Sequence, residues 1–380
     1  MDATGIICEY NPLHMGHKKQ LDAVKATHPD DAIVCLMSGN YVQRGYPAII
    51  DKSLRAKAAI LSGADLVLEL PITASLSSAE GFAQQGVRIL GAFCKRLCFG
   101  AESAGKETLL STAQALLHPE FPQHLHLALD TGVSFPAARQ AALKAMGVQS
   151  DTLCLPNDIL ATEYCKAILQ QGTSMEPMPI VREGCYHDTT IDQANPSAAA
   201  LRECMTGGQD WLEYVPESAR AVFADAKLHT LPAGEQAILY RLRTMTDEEF
   251  AALPYGSEGL WRKLMHNARK FATLEEIITA TKSKRYTRTR LDRMVMCAFL
   301  GITQEDISAP APYVRVLAFN DKGRQILKSA RETGLFPNAG ESVDDPYQDL
   351  EYRAGKLYGL FAAKEESPFE EQKRRVFYRN

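Results

Sequence analysis

The sequence predicts an α/β chain: a parallel sheet interleaved with helices in the first half, then a mostly α-helical half. Three observations predict it. Short apolar runs alternate with single helical stretches between residues 4 and 99, which implies parallel pairing with right-handed crossovers. Beyond about residue 105 the pattern turns helical, with almost no convincing strand after about residue 205 until 313–319. Charge divides the chain as well: from Arg262 to Arg293 ten Lys or Arg stand against three acids, so this segment carries +7 and the remainder −11 of the net −4.

Residues 4–8 read as a short apolar strand and 14–26 as the helix after it. Residues 32–37 form a second strand, stopped by Ser38-Gly39-Asn40. Asp51 caps a helix that runs through Ser62 and closes at Gly63. Residues 65–70 are a third buried strand, ended by Pro71; Ser77 or Ser78 starts a helix to about Phe93; residues 96–99 are a fourth strand, followed by Gly100. Ligands of such sheets bind beyond the carboxyl ends of the strands, an edge that here carries the loops 9–13, 38–50 and 100–103. Residues 135–146 and 158–171 are helices, 176–182 is extended, and Asn195-Pro196-Ser197 opens another helix. The division falls near residue 200, between about 175 and 210, giving domains 1–200 and 201–380.

Composition narrows the class. A net charge of −4 excludes a basic nucleic-acid coat. Nine cysteines, scattered and often inside apolar runs, suit reduced thiols in a cytoplasmic protein. Cys94 and Cys98 lack the two-residue metal spacing, and Cys185 and His187 have no further ligands nearby, so no metal site is assigned. No signal peptide is expected, and no apolar run is long enough to cross a bilayer. A G-x-G-x-x-G fingerprint is absent, against a nicotinamide dehydrogenase.

The most informative stretch is Asn11-Pro12-Leu13-His14-Met15-Gly16-His17, directly after the first strand. At helical spacing His14 and His17 share one face. The helix start adds unpaired N–H groups and the positive end of the dipole. Together they suit phosphate groups, above all a departing pyrophosphate. Gly16 lets a flat base lie against the backbone, and Lys18 or Lys19 adds charge. A turn followed by surface histidines is the weaker reading. In the helical half, Lys282, Lys284, Arg285, Arg288 and Arg290 interleave with Tyr286 and hydroxyls, which suits a phosphate backbone. The competing reading is a solvated helix face.

The motif resembles the H-x-G-H signature shared by nucleotidyltransferases and class I aminoacyl-tRNA synthetases. The wider string is more specific. Glu9 to His17, Met37-Ser38-Gly39-Asn40-Tyr41-Val42-Gln43-Arg44-Gly45, Leu68-Glu69-Leu70-Pro71 and Phe99-Gly100-Ala101-Glu102 resemble the bacterial tRNA(Met) cytidine acetate ligase family. So do Pro156-Asn157-Asp158-Ile159-Leu160, Arg182-Glu183-Gly184 with Tyr186-His187-Asp188, and Lys284-Arg285-Tyr286-Thr287. The blocks run in order up to about residue 301, and the last 80 or so residues add little. Leu13 and Met15 depart from the family's usual residues, both at x positions of the motif. Lys282-Ser283-Lys284 only superficially matches the second signature of class I synthetases.

The resemblance implies a Rossmann-like nucleotidyltransferase domain followed by a mostly helical tRNA-binding domain. It implies an enzyme that joins acetate and ATP into acetyl-adenylate and pyrophosphate. The acetyl group then passes to N4 of the wobble cytidine of elongator tRNA(Met), leaving AMP. ATP enters as substrate, with Mg2+ expected. The implied ATP-binding residues are Ile7, Cys8, Glu9, Tyr10, Asn11, Pro12, Leu13, His14, Met15, Gly16, His17, Lys18, Lys19 and Gln20, with Gly100, Asn157 and Arg182. His14 and His17 are the implied catalytic pair. From the residues alone, Gly100 can simply end a strand, Asn157 can cap the following helix, and Arg182 can pair with an acid. Two other readings are an adenylyltransferase acting on a phosphorylated metabolite and a non-catalytic RNA-binding protein with an old nucleotide site.

Overall fold

The computed structural model describes residues 1–102, 105–148, 152–153, 155–181, 196–336, 346–364, 366–368 and 370–380. Its sheet contains β1 (Ala3–Cys8), β2 (Ala32–Ser38), β3 (Leu66–Leu70), β4 (Arg96–Ala101), β5 (Glu176–Val181), β6 (Arg315–Asn320) and β7 (Phe377–Arg379), in the spatial order β5-β4-β1-β2-β3-β6-β7. The first five run parallel, with Ile6 of β1 opposite Cys35 on one side and Cys98 on the other. β6 lies antiparallel to β3, and β7 pairs parallel to β6.

The central strands β1, β2 and β3 are largely apolar because helices cover both faces. Alternation along each strand sorts the side chains. Ile7, Val34, Leu36, Leu66 and Leu68 face one layer, where they meet Phe82 and Val87 of the helix Ala79–Leu90 and Ala161 and Tyr164 of the helix Pro156–Gln171. Ile6, Ile33, Cys35, Met37 and Val67 face the other layer, against Leu21 and Val24 of the helix Met15–Thr27 and Ala56 and Ile60 of the helix Lys52–Leu61. Asp51 caps that last helix, its Oδ1 accepting from Ser53 N at 2.8 Å, and Ser78 caps the helix Ala79–Leu90.

The helical half has its own core. Leu242 and Ile238 of the helix Leu231–Thr244, Leu264 of Leu260–Lys270, Ile277 of Leu274–Thr281, Leu291 and Met294 of Arg288–Leu300, and Tyr358 of Pro346–Tyr358 pack together. Tyr41, Ile72 and Leu76 of the first half insert into that core. The Tyr41 hydroxyl donates to Ala354 O at 3.1 Å, and the Tyr358 hydroxyl donates to Ala48 O at 2.7 Å.

The structure adds pairing to the strands read from sequence. Of the extended stretch expected at 176–182, residues 176–181 form an edge strand on β4. The strand expected at 313–319 forms at 315–320 and pairs with β3 of the first sheet. Residues 377–379 supply a further strand that local pattern did not mark, since three residues carry too little periodicity to be read. Among the described residues no helix is long and apolar enough to cross a membrane.

Candidate active site

β1 ends at Cys8, and the chain turns through residues 9–14 into the helix Met15–Thr27. Asn11 fixes the turn: its Oδ1 accepts from Ile49 N at 2.7 Å, and its carbonyl accepts from Arg202 Nη1 at 2.8 Å. His14 is the N-cap, with its Nδ1 accepting from Gly16 N at 3.1 Å. Its own N–H donates to His17 Nδ1 at 3.3 Å, which completes a reciprocal capping box. The two rings stack with centroids 3.7 Å apart, and Tyr10 packs edge-on against His17 at 4.9 Å. Because each Nδ1 accepts, the hydrogen-bond pattern assigns the proton of each neutral imidazole to Nε2. Gly16 matters here, since a Cβ would come within 3.0 Å of the His14 ring.

The motif opens into a cavity of about 510 Å³ at the carboxyl edge of the sheet. Ile7, Cys8, Glu9, Tyr10, Asn11, Gly16, His17, Lys19 and Gln20 line it, whereas Pro12, Leu13, His14, Met15 and Lys18 are not on its wall. Leu13 is fully buried in the core, Lys18 pairs with Asp22, and His14 sits 1% exposed behind His17. The sequence reading treated the two histidines as equivalent; the structure separates a wall residue from a cap. Phe82, Phe99, Leu160 and Tyr164 make the apolar side of the cavity. Burial pushes the Cys8 thiol well up, as does its neighbour Cys35, so Cys8 is held as a neutral thiol.

Four helix starts meet at this cavity: Gly16 and His17, Ala79, Pro156 and Asn157, and Ala198 all lie on its wall. Each contributes the positive end of its dipole, although Gly16 N already donates to His14 Nδ1, His17 N to His14 O, and Pro156 has no N–H. The sequence marks all four helices but assigns a phosphate role only to the start of the first. Gly100 lines the cavity from inside β4, which continues to Ala101, so it does not end the strand. Asn157 is not a cap: the helix Pro156–Gln171 has Leu155 at its N-cap without a side-chain bond, and the Asn157 amide donates to Glu102 Oε1. Gln43 and Arg44 also line the cavity. Arg182, Cys185, His187 and the rest of that block lie outside the described residues. Among the described residues no group of three His, Cys, Asp or Glu could hold a metal ion.

The basic residues sit on the helical half. Lys282 follows the helix Leu274–Thr281, and Lys284 is exposed. Arg285 pairs with Glu258 at 2.7 Å, and Arg288 reaches both oxygens of Glu275 at 2.6 Å. Arg290 donates to Tyr255 O and lies over the Tyr286 ring at 5.0 Å. One turn further along this helix, Arg293 Nη1 donates to Gln43 O at 3.4 Å. Gly45, at φ +88°, packs so closely there that a Cβ would lie 2.4 Å from Arg293 N. The loop that walls the cavity thus rests on the helix that carries the basic segment.

A doubly wound sheet with H-x-G-H at the start of its first helix is the arrangement expected of a nucleotidyl transferase or a class I synthetase, and the family match selects the first. Residues 1–374 match the family model described as HIGH Nucleotidyl Transferase. The chain is 34% identical to a tRNA(Met) cytidine acetate ligase of Clostridium acetobutylicum over 401 aligned positions, covering 99% of each. It is 35% identical to one of Ligilactobacillus salivarius, covering 94% of this chain and 96% of that protein. Among solved structures, apo TmcAL of Thermotoga maritima superposes with a TM-score of 0.90 at 28% identity, covering 100% and 99% of the two chains. TmcAL bound with alpha-thio ATP superposes with a TM-score of 0.87 at 28% identity, covering 100% of both. The chain belongs to the HIGH nucleotidyl transferase family and, within it, to the tRNA(Met) cytidine acetate ligases.

Proposed function

We propose that this chain is an ATP-dependent ligase that activates acetate and transfers the acetyl group to N4 of the wobble cytidine of elongator tRNA(Met). The observation that carries the reading is the convergence of four helix starts on one cavity beside His17, a setting suited to a polyanion. An acetate oxygen attacks the α-phosphorus of ATP, and the bond to pyrophosphate breaks. The cytidine amine then attacks the acetyl carbonyl, loses a proton, and AMP departs.

His17 Nε2–H and the helix N–H groups meet charge that grows on the α-phosphate and leaving pyrophosphate. His14 holds His17 by the capping box and the ring stack. Lys19 adds a cation at the same wall. The apolar side at Phe82 and Phe99 takes the base, Gly100 allows close approach, and Asn157 contacts base or ribose. Arg182 is retained as a phosphate contact on the resemblance alone. Mg2+ bound with ATP would supply charge neutralisation to the phosphates; such ions commonly use phosphates and water with one or two carboxylates, and Glu9, on the wall, would be the carboxylate to hold it.

The division of labour puts ATP on residues 1–200 and tRNA on the helical stretch beyond 201, through Lys282, Lys284, Arg285, Arg288 and Arg290. A cytoplasmic location suits the free thiols Cys8, Cys35, Cys94, Cys98, Cys165, Cys204 and Cys297. The test is incubation with ATP, labelled acetate and elongator tRNA(Met). Label in the wobble base supports the reading; ATP binding without transfer overturns it.

A further inference from the structure

We infer that Arg55, distant from the motif in sequence, is the positioning residue that holds the nucleotide-facing edge of the sheet in shape. Its side chain is fully buried. Every hydrogen-bond partner it has among the described residues is a main-chain carbonyl. Nε donates to Ile50 O at 2.8 Å, Nη1 to Glu9 O at 2.5 Å and Ser38 O at 3.1 Å, and Nη2 to Gly39 O.

Those four carbonyls come from three separate stretches: the residue after β1, the end of β2 with the residue beyond it, and the residue before the Asp51 cap. At a strand end the sheet ladder stops, and buried carbonyls need other donors. A guanidinium offers five donors in a planar fork and can reach all of them at once. Two cross-links tie the same stretches: Gln43 N to Glu9 Oε1 at 2.9 Å, and Ile49 N to Asn11 Oδ1 at 2.7 Å. Arg55 therefore clamps the turn carrying Tyr10 and Asn11 to the loop carrying Gln43 and Arg44, all four of which line the cavity. Arg55 itself is not on the wall, so it acts through these residues.

The consequence for catalysis rests on the ligase reading, whereas the clamp itself does not. Lysine keeps the charge but offers three donors from one point, so Arg55→Lys should fold with a lowered melting temperature, and its kinetics are read at a temperature where it is fully folded. In that variant, kcat for acetate-dependent exchange of pyrophosphate into ATP should fall about tenfold or more, with KM for ATP changed less than about threefold, because small misplacement of reacting groups weighs on the chemical step. Amide hydrogen exchange gives an activity-independent readout. Protection at Gln43 and Ile49 should drop about tenfold while the amides inside β2 and β3 keep theirs. Unchanged protection at Gln43 and Ile49 in Arg55→Lys overturns the inference. So does a uniform loss across the sheet, or a kcat loss that only follows the unfolded fraction. Absence of exchange in the wild type counts against the ligase reading and leaves the protection test standing.

Discussion

His14 and His17 stack 3.7 Å apart at the start of one helix, yet only His17 reaches the cavity wall. The pair therefore divides into a wall residue and its support. His17→Ala should lower pyrophosphate exchange about 100-fold or more, as for loss of one preorganised donor, with a smaller loss of stability than His14→Ala, since it takes one acceptor from the capping box and leaves the His14 cap on Gly16 N. His14→Ala removes the cap as well, so it should cost about 1 kcal/mol in denaturant unfolding besides slowing exchange. Equal unfolding curves for the two variants would contradict the division.

Gly45→Ala should be among the more damaging small substitutions. The new Cβ meets the Arg293 backbone at 2.4 Å, at a φ of +88°. A cost of about 2 kcal/mol or more is expected from the backbone conformation and the displaced helix together. Unfolding midpoints measure it, and Gly132→Ala, at φ +80° with no atom near its Cβ, supplies the conformational term alone.

Acid should loosen the C-terminal segment. Glu371 is buried, which alone raises its carboxyl, but Lys52, Arg315 and Arg374 outweigh burial and hold it down to about 2. Lys52 Nζ lies 2.5 Å from it and 2.8 Å from Glu69. A folded value below the unfolded one gives stability that is present above about pH 4.5 and lost as pH falls toward 2. Glu371→Gln should destabilise by about 3 kcal/mol at pH 7, as for breaking a buried pair, and flatten that acid limb. An unaltered limb in pH-dependent melting would refute the assignment.

Asp292 has the opposite sign. Burial pushes it up to about 6, against the pull of Arg288 at 3.5 Å. The folded state then binds the proton more tightly than the unfolded one, so stability is present below about pH 4 and lost as pH rises through 6. Asp292→Asn should stabilise by about 1 kcal/mol at pH 8, with the gain vanishing near pH 4. Chemical denaturation at both pH values measures this.

The basic segment offers a test on RNA. Arg285 and Arg288 are engaged by Glu258 and Glu275 before any RNA binds. Glu258→Gln should tighten tRNA binding by about two- to fivefold, the range of an exposed ion pair. Arg285→Ala and Arg290→Ala should weaken binding and each lower the salt slope by about one. Filter binding across a salt series separates these outcomes.

Much of the architecture was legible locally. Apolar runs of strand length, Asp51 and Ser78 as caps, and the glycine-histidine turn act within a few residues, so spacing alone marks β1 to β4 and the first helix. The sequence by itself determined that an H-x-G-H turn stands where the first strand meets the first helix. Tertiary structure decided what that turn faces. It brought the helix starts at Gly16, Ala79, Pro156 and Ala198 to one cavity and made Asn157 a wall residue bonded to Glu102 instead of a helix cap. It also returned residues 315–320 and 377–379 to the first sheet, set Glu258 against Arg285, and buried Arg55 among carbonyls from three stretches. The physical reason is range: caps and periodicity are settled within a turn or a strand, whereas these contacts join residues tens to hundreds of positions apart, and only chain packing selects among their possible partners.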